Sequence, residues 1–259
     1  MSADSVPATP ATPRCGMVYL VGAGPGPADL LTVRALNRLQ TADVLVYDRL
    51  IEPEVLALAP AQALRIYAGK ASGDHVMPQA QIHAVLIEQA RAGHRVVRLK
   101  GGDPQLFGRG GEEVQALQEA GIAFEVVPGI SAANGCAATA GIPLTHRNMA
   151  HSCSFLPGHL ADEHTTLDWA ALAKPGQTRV FYMGVARLAS IAQHLIEHGL
   201  PPDTPAAIVY DGARPQQWVL ACGLSALVRQ VPERELRPGL LIVGDTVALS
   251  PHFRPSGLL

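Results

Sequence analysis

A chain of 259 residues, 48% hydrophobic and 16% charged, is long enough for one large or two modest domains with filled cores. Its formal net charge of -2 excludes a general pull toward nucleic acid or an anionic membrane, so an acidic ligand would need a local arginine cluster. Cys15, Cys136, Cys153 and Cys222 form no C-x-x-C pair, and the histidines form no H-E-x-x-H, so free thiols and no metal site are expected.

Residues 1–15 read as a loose tail, rich in Pro, Ala and Thr and without the basic and apolar regions of a signal peptide. An N-terminal α/β domain is expected over 16–128. It opens with an apolar strand at 17–21, a loop Gly22-Ala23-Gly24-Pro25-Gly26-Pro27, and a helix over 30–39 with Asp29 as its N-cap. Strands follow at 44–47 and 64–67, with a short helix from Pro53 between them and a helix from Pro78 to Ala90 after them. A strand at 96–99 runs into a loop with glycines at 101, 102, 108, 110 and 111, then a helix from Glu112 ended by Gly121, then a strand at 123–127. Alternating strands and helices predict a mostly parallel, doubly wound sheet.

Beyond Gly129 the pattern changes. Ile130–Ala140 is a helix of small residues, and strands are expected near 152–156, 180–183, 206–210, 217–220 and 240–243, with a helix over 185–198. Several strands follow one another without a helix, which predicts a mixed sheet in a second α/β domain over 129–250, with 251–259 as an extension. The uncharged span 126–145 approaches the length of a membrane helix, but Pro128, Pro143, Asn134 and its glycines exclude one, and a cytoplasmic location is expected.

The stretch Arg98–Glu113 sets Asp103, Arg109 and Glu112 along a glycine-rich backbone, which reads as the lip of a ligand site because a backbone without Cβ atoms admits close approach. The first glycine loop, with Asp48 downstream, imitates a dinucleotide fingerprint. Its third glycine would fall at Pro27, which has no N–H for a pyrophosphate, so a nicotinamide site is disfavoured. Gly69-Lys70 lacks the upstream glycine and the Ser/Thr of a P-loop. Arg49, Arg109 and Arg147 each read singly as surface charge. On one rim they would form forked anchors for carboxylates.

With these pieces the sequence resembles the tetrapyrrole methyltransferase family. The resemblance is carried by Val21–Gly26, Tyr47–Leu50, Gly69-Lys70, Arg98–Glu113, Val127–Ser131, Gly141–Arg147 and Tyr182–Gly184, spread from about Val18 to Val247. It implies two α/β domains with the site in the cleft between them, in a homodimer, and S-adenosylmethionine as co-substrate without a metal. It implies that Pro25, Gly101, Gly102, Asp103, Leu106, Ser131, Ala132, Met183, Gly212 and Ala213 line the S-adenosylmethionine pocket. Arg49, Arg109, Glu112, Arg147, Met183 and His159 would meet the tetrapyrrole, and Asp48 and Lys70 fall on the family's proton-acceptor and proton-donor positions. The activity implied is double C-methylation of uroporphyrinogen III to precorrin-2. A methyltransferase of the same superfamily acting on a later cobalt-corrin precursor or on a protein side chain, a nicotinamide oxidoreductase and a silent tetrapyrrole carrier are the competing readings. Two departures stand out: Ala71 where relatives often carry arginine, and Ser131 for the usual threonine. With a first strand at about Met17, no dehydrogenase/chelatase domain is expected ahead of it.

Overall fold

Five apolar segments form a parallel sheet in the order β3-β2-β4-β1-β5, with β1 (Met17–Gly22), β2 (Val44–Tyr47), β3 (Leu64–Tyr67), β4 (Arg95–Lys100) and β5 (Phe124–Val127). The structure is a computed structural model that describes residues 16–69, 77–158, 167–231 and 237–255. Strands covered on both faces read as near-continuous apolar runs, which is how β1 and β2 looked in the sequence. Helices α1 (Val33–Leu39) and α2 (Pro53–Leu56) pack on one face, against Val21, Leu45, Val97 and Leu99. Helices α3 (Gln79–Arg91) and α4 (Gly110–Glu119) pack on the other, against Val18, Leu20, Val46 and Val96. Parallel neighbours require such crossovers, so all five strands end on one edge and the loops leaving that edge lie together.

The chain passes through Pro128–Ser131 into α5 (Ala132–Thr139). The second sheet contains β6 (Ser152–Pro157), β7 (Gln177–Tyr182), β8 (Pro205–Tyr210), β9 (Trp218–Gly223) and β10 (Gly239–Val243), in the order β6-β7-β10-β8-β9. Only β6 and β7 pair in parallel; β7-β10, β10-β8 and β8-β9 are antiparallel. Strands β6, β7 and β8 therefore run the same way and end on the same edge. Helix α5 covers one face through Ala133, Cys136, Ala137 and Ala140, while α6 (Trp169–Leu172), α7 (Leu188–Glu197) and α8 (Leu224–Gln230) cover the other. The two α/β halves with one parallel and one mixed sheet bear out the expected fold class.

The local differences have physical causes. The expected helix over 30–39 is a 3-10 turn, Ala28–Leu30, then an extended Leu31, then α1. Its cap is Thr32, whose Oγ1 accepts the Ala35 N–H at 3.1 Å, and not Asp29, which is exposed. Helix α4 starts at Gly110 and α5 at Ala132 with Ser131 as cap, while the helix expected over 185–198 splits into a 3-10 turn, Val185–Arg187, and α7. Helices α6 and α8 went unpredicted: at four and seven residues they show little periodicity, and neither has the proline start that marked the equally short α2. Among the described residues no helix is long and apolar enough to cross a membrane.

Removing the Thr32 cap by Thr32→Ala is expected to lower the unfolding free energy by about 1 kcal/mol. Asp29→Ala should leave it unchanged. Urea melts of the two variants check the assignment.

Candidate functional site

The first sheet and strands β6, β7 and β8 of the second present their C-terminal ends to a shared cleft, and the loops there carry most of the residues expected at the site. In the first half the loops after β1 and β4 are bound to each other. Ala23 N donates to Lys100 O at 2.7 Å, Gly102 N to Gly24 O at 2.7 Å, and Gly24 N to Gly102 O at 3.2 Å. Gly24 and Gly102 hold φ of +73° and +68°, a region where a Cβ is strained. Gly129 packs beneath them, where a side chain would overlap the Gly102 carbonyl. Asp103 secures the same turn, its Oδ1 accepting Gln105 N at 2.8 Å and its Oδ2 accepting Gly129 N at 3.1 Å.

Helix α5 closes the cleft from the second half. Its cap Ser131 accepts the Asn134 N–H at 3.2 Å and donates to Asn134 Oδ1 at 2.7 Å. The next free amide, Ala133 N, donates to Tyr182 Oη at 3.0 Å. The small residues serve close packing: a Cβ at Gly135 would enter the Pro25 ring, and one at Gly212 would overlap Cys136. Phe107, on the loop after β4, packs on Tyr182 in a tilted arrangement with ring centroids 4.7 Å apart, and Phe155 meets Tyr182 edge-on. A cavity of about 440 Å³ lies between, lined by Asp103, Leu106, Gly129, Ile130, Ser131, Asn134 and Phe155.

The structure thus brings Asp103, Leu106 and Ser131 onto one cavity. Gly102 faces the start of α5, 3.5 Å separating its Cβ position from Ala132 N. Pro25 backs α5, while Gly101 is exposed beside Leu50. Met183 follows β7 at φ +57° and is 60% exposed, so it is not a core methionine. Gly212 and Ala213 follow β8; Ala213 N donates to Gln217 Oε1 at 2.7 Å. Asn134, Ile130 and Phe155 were not singled out by the sequence. Phe155 lies within β6, and nothing in the sequence around it marked it for the cavity.

On the proposed tetrapyrrole side, Arg109 sits at φ +57° and forms a two-pronged pair with Glu112, Nε–Oε1 at 2.8 Å and Nη2–Oε2 at 2.7 Å. The Arg109 hydrogen bond holds the Glu112 carboxyl below its ordinary pKa, and Glu112 in turn raises that of Arg109. Arg49 and Arg147 are exposed and form no ion pair among the described residues. Lys70 and His159 lie outside the described residues, as does Ala71. Asp48, at the end of β2, accepts Arg98 Nη2 at 2.7 Å. Sequence reasoning took Arg98 as the end of an apolar strand, yet Arg98 and Lys100 are buried with Glu113. Charges at alternate positions of a buried strand were the signal.

A second cavity, about 600 Å³ and lined by Asp29, Glu52, Glu54 and Arg214 among others, holds none of the residues expected to bind either ligand. There Arg214 joins the halves, its Nη2 donating to Leu50 O at 2.9 Å and its Nε lying 2.7 Å from Glu52 Oε1.

Comparison with known proteins agrees with this architecture. Residues 17–228 match the family described as Tetrapyrrole (Corrin/Porphyrin) Methylases. A siroheme synthase from Nitrosomonas eutropha is 53% identical over 238 residues, which is 92% of this chain and 50% of the relative; the chain spans about half the length of the curated relatives it matches. A uroporphyrin-III C-methyl transferase from Thermus thermophilus, solved with S-adenyl homocysteine, superposes with a TM-score of 0.77 at 40% identity, covering 90% of this chain and 100% of that one. A cobalt precorrin-4 methyltransferase superposes with a TM-score of 0.79 at 25% identity, covering 91% and 96%. With its family match spanning most of its length and its two sheets meeting at one cleft, the chain belongs to the tetrapyrrole methylase family.

Proposed function

We propose that the chain is a C-methyltransferase that moves methyl groups from S-adenosylmethionine to two pyrrole carbons of uroporphyrinogen III, giving precorrin-2 by way of precorrin-1. The observation that carries this reading is the single loop Gly101–Arg109. Its first half reaches the cavity through Asp103 and Leu106, and its second half presents the Arg109–Glu112 pair outside it. Two ligands are thereby served by one short segment. The similarity to the Thermus thermophilus protein favours uroporphyrinogen over later corrin precursors.

The cavity fits the co-substrate. Its volume lies in the range of small-molecule sites. The bare backbone at Gly102 and the carboxylate of Asp103 suit a ligand carrying polar groups and a positive sulfonium. When bound, S-adenosylmethionine supplies an activated methyl group, so the chain's main task is to hold the reacting carbon in line with it. Attack on the methyl leaves the macrocycle cationic, and the carboxylates of Asp48 and Glu112 lower the energy of that charge. A macrocycle proton is then lost, and Asp48 accepts it. Arg109 remains a cation throughout, since its pKa is raised from an already high value, and it orients substrate carboxylates instead. The proposal extends to a domain division at 128/129, supported by the change of strand pattern there, to a homodimer, supported by the family resemblance, and to a cytoplasmic location. A nicotinamide reading is further weakened because the Thr32 side chain already occupies the start of α1.

Anaerobic incubation with uroporphyrinogen III and methyl-labelled S-adenosylmethionine should transfer two methyl groups per tetrapyrrole, and no label in the tetrapyrrole would sink the proposal. S-adenosylhomocysteine should raise the melting temperature where NAD does not. Arg109→Ala should abolish turnover and weaken tetrapyrrole binding by about 1.5–3 kcal/mol, the scale of hydrogen bonds to charged groups. Its affinity for S-adenosylhomocysteine, measured by calorimetry, should stay at the parent value, and an equal loss for both ligands contradicts the division of the site.

A further inference from the structure

Among the described residues, β4 and α4 carry a cluster of buried ionisable side chains that the chemistry described so far leaves unused. Arg98 is 2% exposed, Lys100 3% and Glu113 0%. Such groups enter protein interiors only when paired. Arg98 and Lys100 project from β4 on the same face as Val96, beneath α3 and α4, and Glu113 descends from the first turn of α4. Glu113 Oε1 accepts Lys100 Nζ at 2.9 Å, Arg98 Nε at 3.0 Å and, from α3, Gln79 Nε2 at 3.4 Å. The far end of the Arg98 guanidinium leaves this layer, its Nη2 donating to Asp48 Oδ1 at 2.7 Å. The Asp48 side chain is 32% exposed at the end of β2, and its Oδ2 accepts nothing among the described residues.

Stability alone is a poor explanation for this arrangement, because buried ion networks are often no more stabilising than apolar residues of similar volume. Burial, with the charge of Arg98 beside it, already pushes the Lys100 pKa below its ordinary value, so the cluster is held at a cost. What the geometry does provide is orientation. A planar guanidinium fixed at Nε by Glu113 cannot turn about its own axis, so the direction in which it offers Nη2 to Asp48 is set from inside the fold.

We propose that Glu113 is a positioning residue: through Arg98 it holds the Asp48 carboxylate in one orientation toward the cleft, with Lys100 balancing the buried charge. This rests on the reading of Asp48 as proton acceptor. Glu113→Gln alone would set two buried cations against one carboxylate and endanger folding. The test variant is therefore Lys100→Met/Glu113→Gln in the full chain, which removes one charge of each sign and leaves Arg98 and Asp48 in place.

The double variant is expected to melt near the parent temperature and to keep the parent's S-adenosylhomocysteine affinity and KM for uroporphyrinogen III. Its kcat should fall on the order of 10²-fold, the scale of a misplacement of about 1 Å. In an Asp48→Asn background the same two substitutions should cause no further loss, since residues acting as one unit are not additive. Equal losses in both backgrounds, or a kcat loss matched by lost S-adenosylhomocysteine affinity, overturn the proposal. A crystal structure of the double variant decides it without turnover: a displaced Asp48 supports the proposal, and an Arg98–Asp48 contact still at 2.7 Å refutes it. Inactivity of the parent chain toward uroporphyrinogen III would instead remove the functional reading, with the crystallographic comparison still deciding this one.

Discussion

Two backbone hydrogen bonds between Gly24 and Gly102 join the loops that leave β1 and β4, and the cleft is built outward from that join. They form an isolated antiparallel bridge just past the ends of the parallel strands β1 and β4, where the chain turns with positive φ. Gly129 can pass beneath only because neither it nor Gly22 carries a Cβ. The Asp103 carboxylate then accepts the Gly129 N–H, so the start of α5 is placed relative to the first sheet by close backbone packing and this one side-chain bond. Side chains that line the cavity inherit their positions from this knot.

Strain gathers around the same place. The non-glycine residues at positive φ, among those described, are Phe107, Arg109, Met183, Asp211 and Ala213. All five lie on loops at the facing sheet edges. Each such residue costs about 1–3 kcal/mol and persists only where its surroundings overdetermine it. The determinants are visible: the Phe107 ring lies on Tyr182, Arg109 is clasped by Glu112, Asp211 by Arg237 at 2.7 Å, and the Ala213 amide by Gln217.

Much of this could be read before the structure was known. Apolar runs separated by helical periods gave the parallel sheet, and the glycines at 24, 101, 102 and 129 marked where backbones approach. The helix of small residues at 130–140 was legible because its packing leaves no room for anything larger. What escaped was set by tertiary contacts. Arg98 and Lys100 look like the solvated end of a strand until α4 delivers Glu113 onto the same face. Phe155 and Asn134 become cavity residues only because β6 runs toward, and α5 starts at, the edge that faces Asp103. The left-handed conformations of Phe107 and Met183 carry no glycine to announce them. The cap at Thr32 was missed because Asp29 precedes an apolar run equally well, and only the extended Leu31 decides between them.

The fixed glycine join and the free arginines have opposite thermodynamic consequences. A pocket edged by backbone already hydrogen-bonded to itself loses little conformational freedom when a ligand enters, so on the proposed reading S-adenosylmethionine meets a surface ordered in advance. Arg49 and Arg147 are exposed and unpaired by any described residue, and Arg109 must exchange Glu112 for a ligand carboxylate. Each long side chain stilled on binding costs about 0.5–1.5 kcal/mol. On the same proposed reading, the entropic penalty of forming the ternary complex falls mainly on the tetrapyrrole, whose many carboxylates offset it with enthalpy, while the co-substrate binds with a nearly rigid partner.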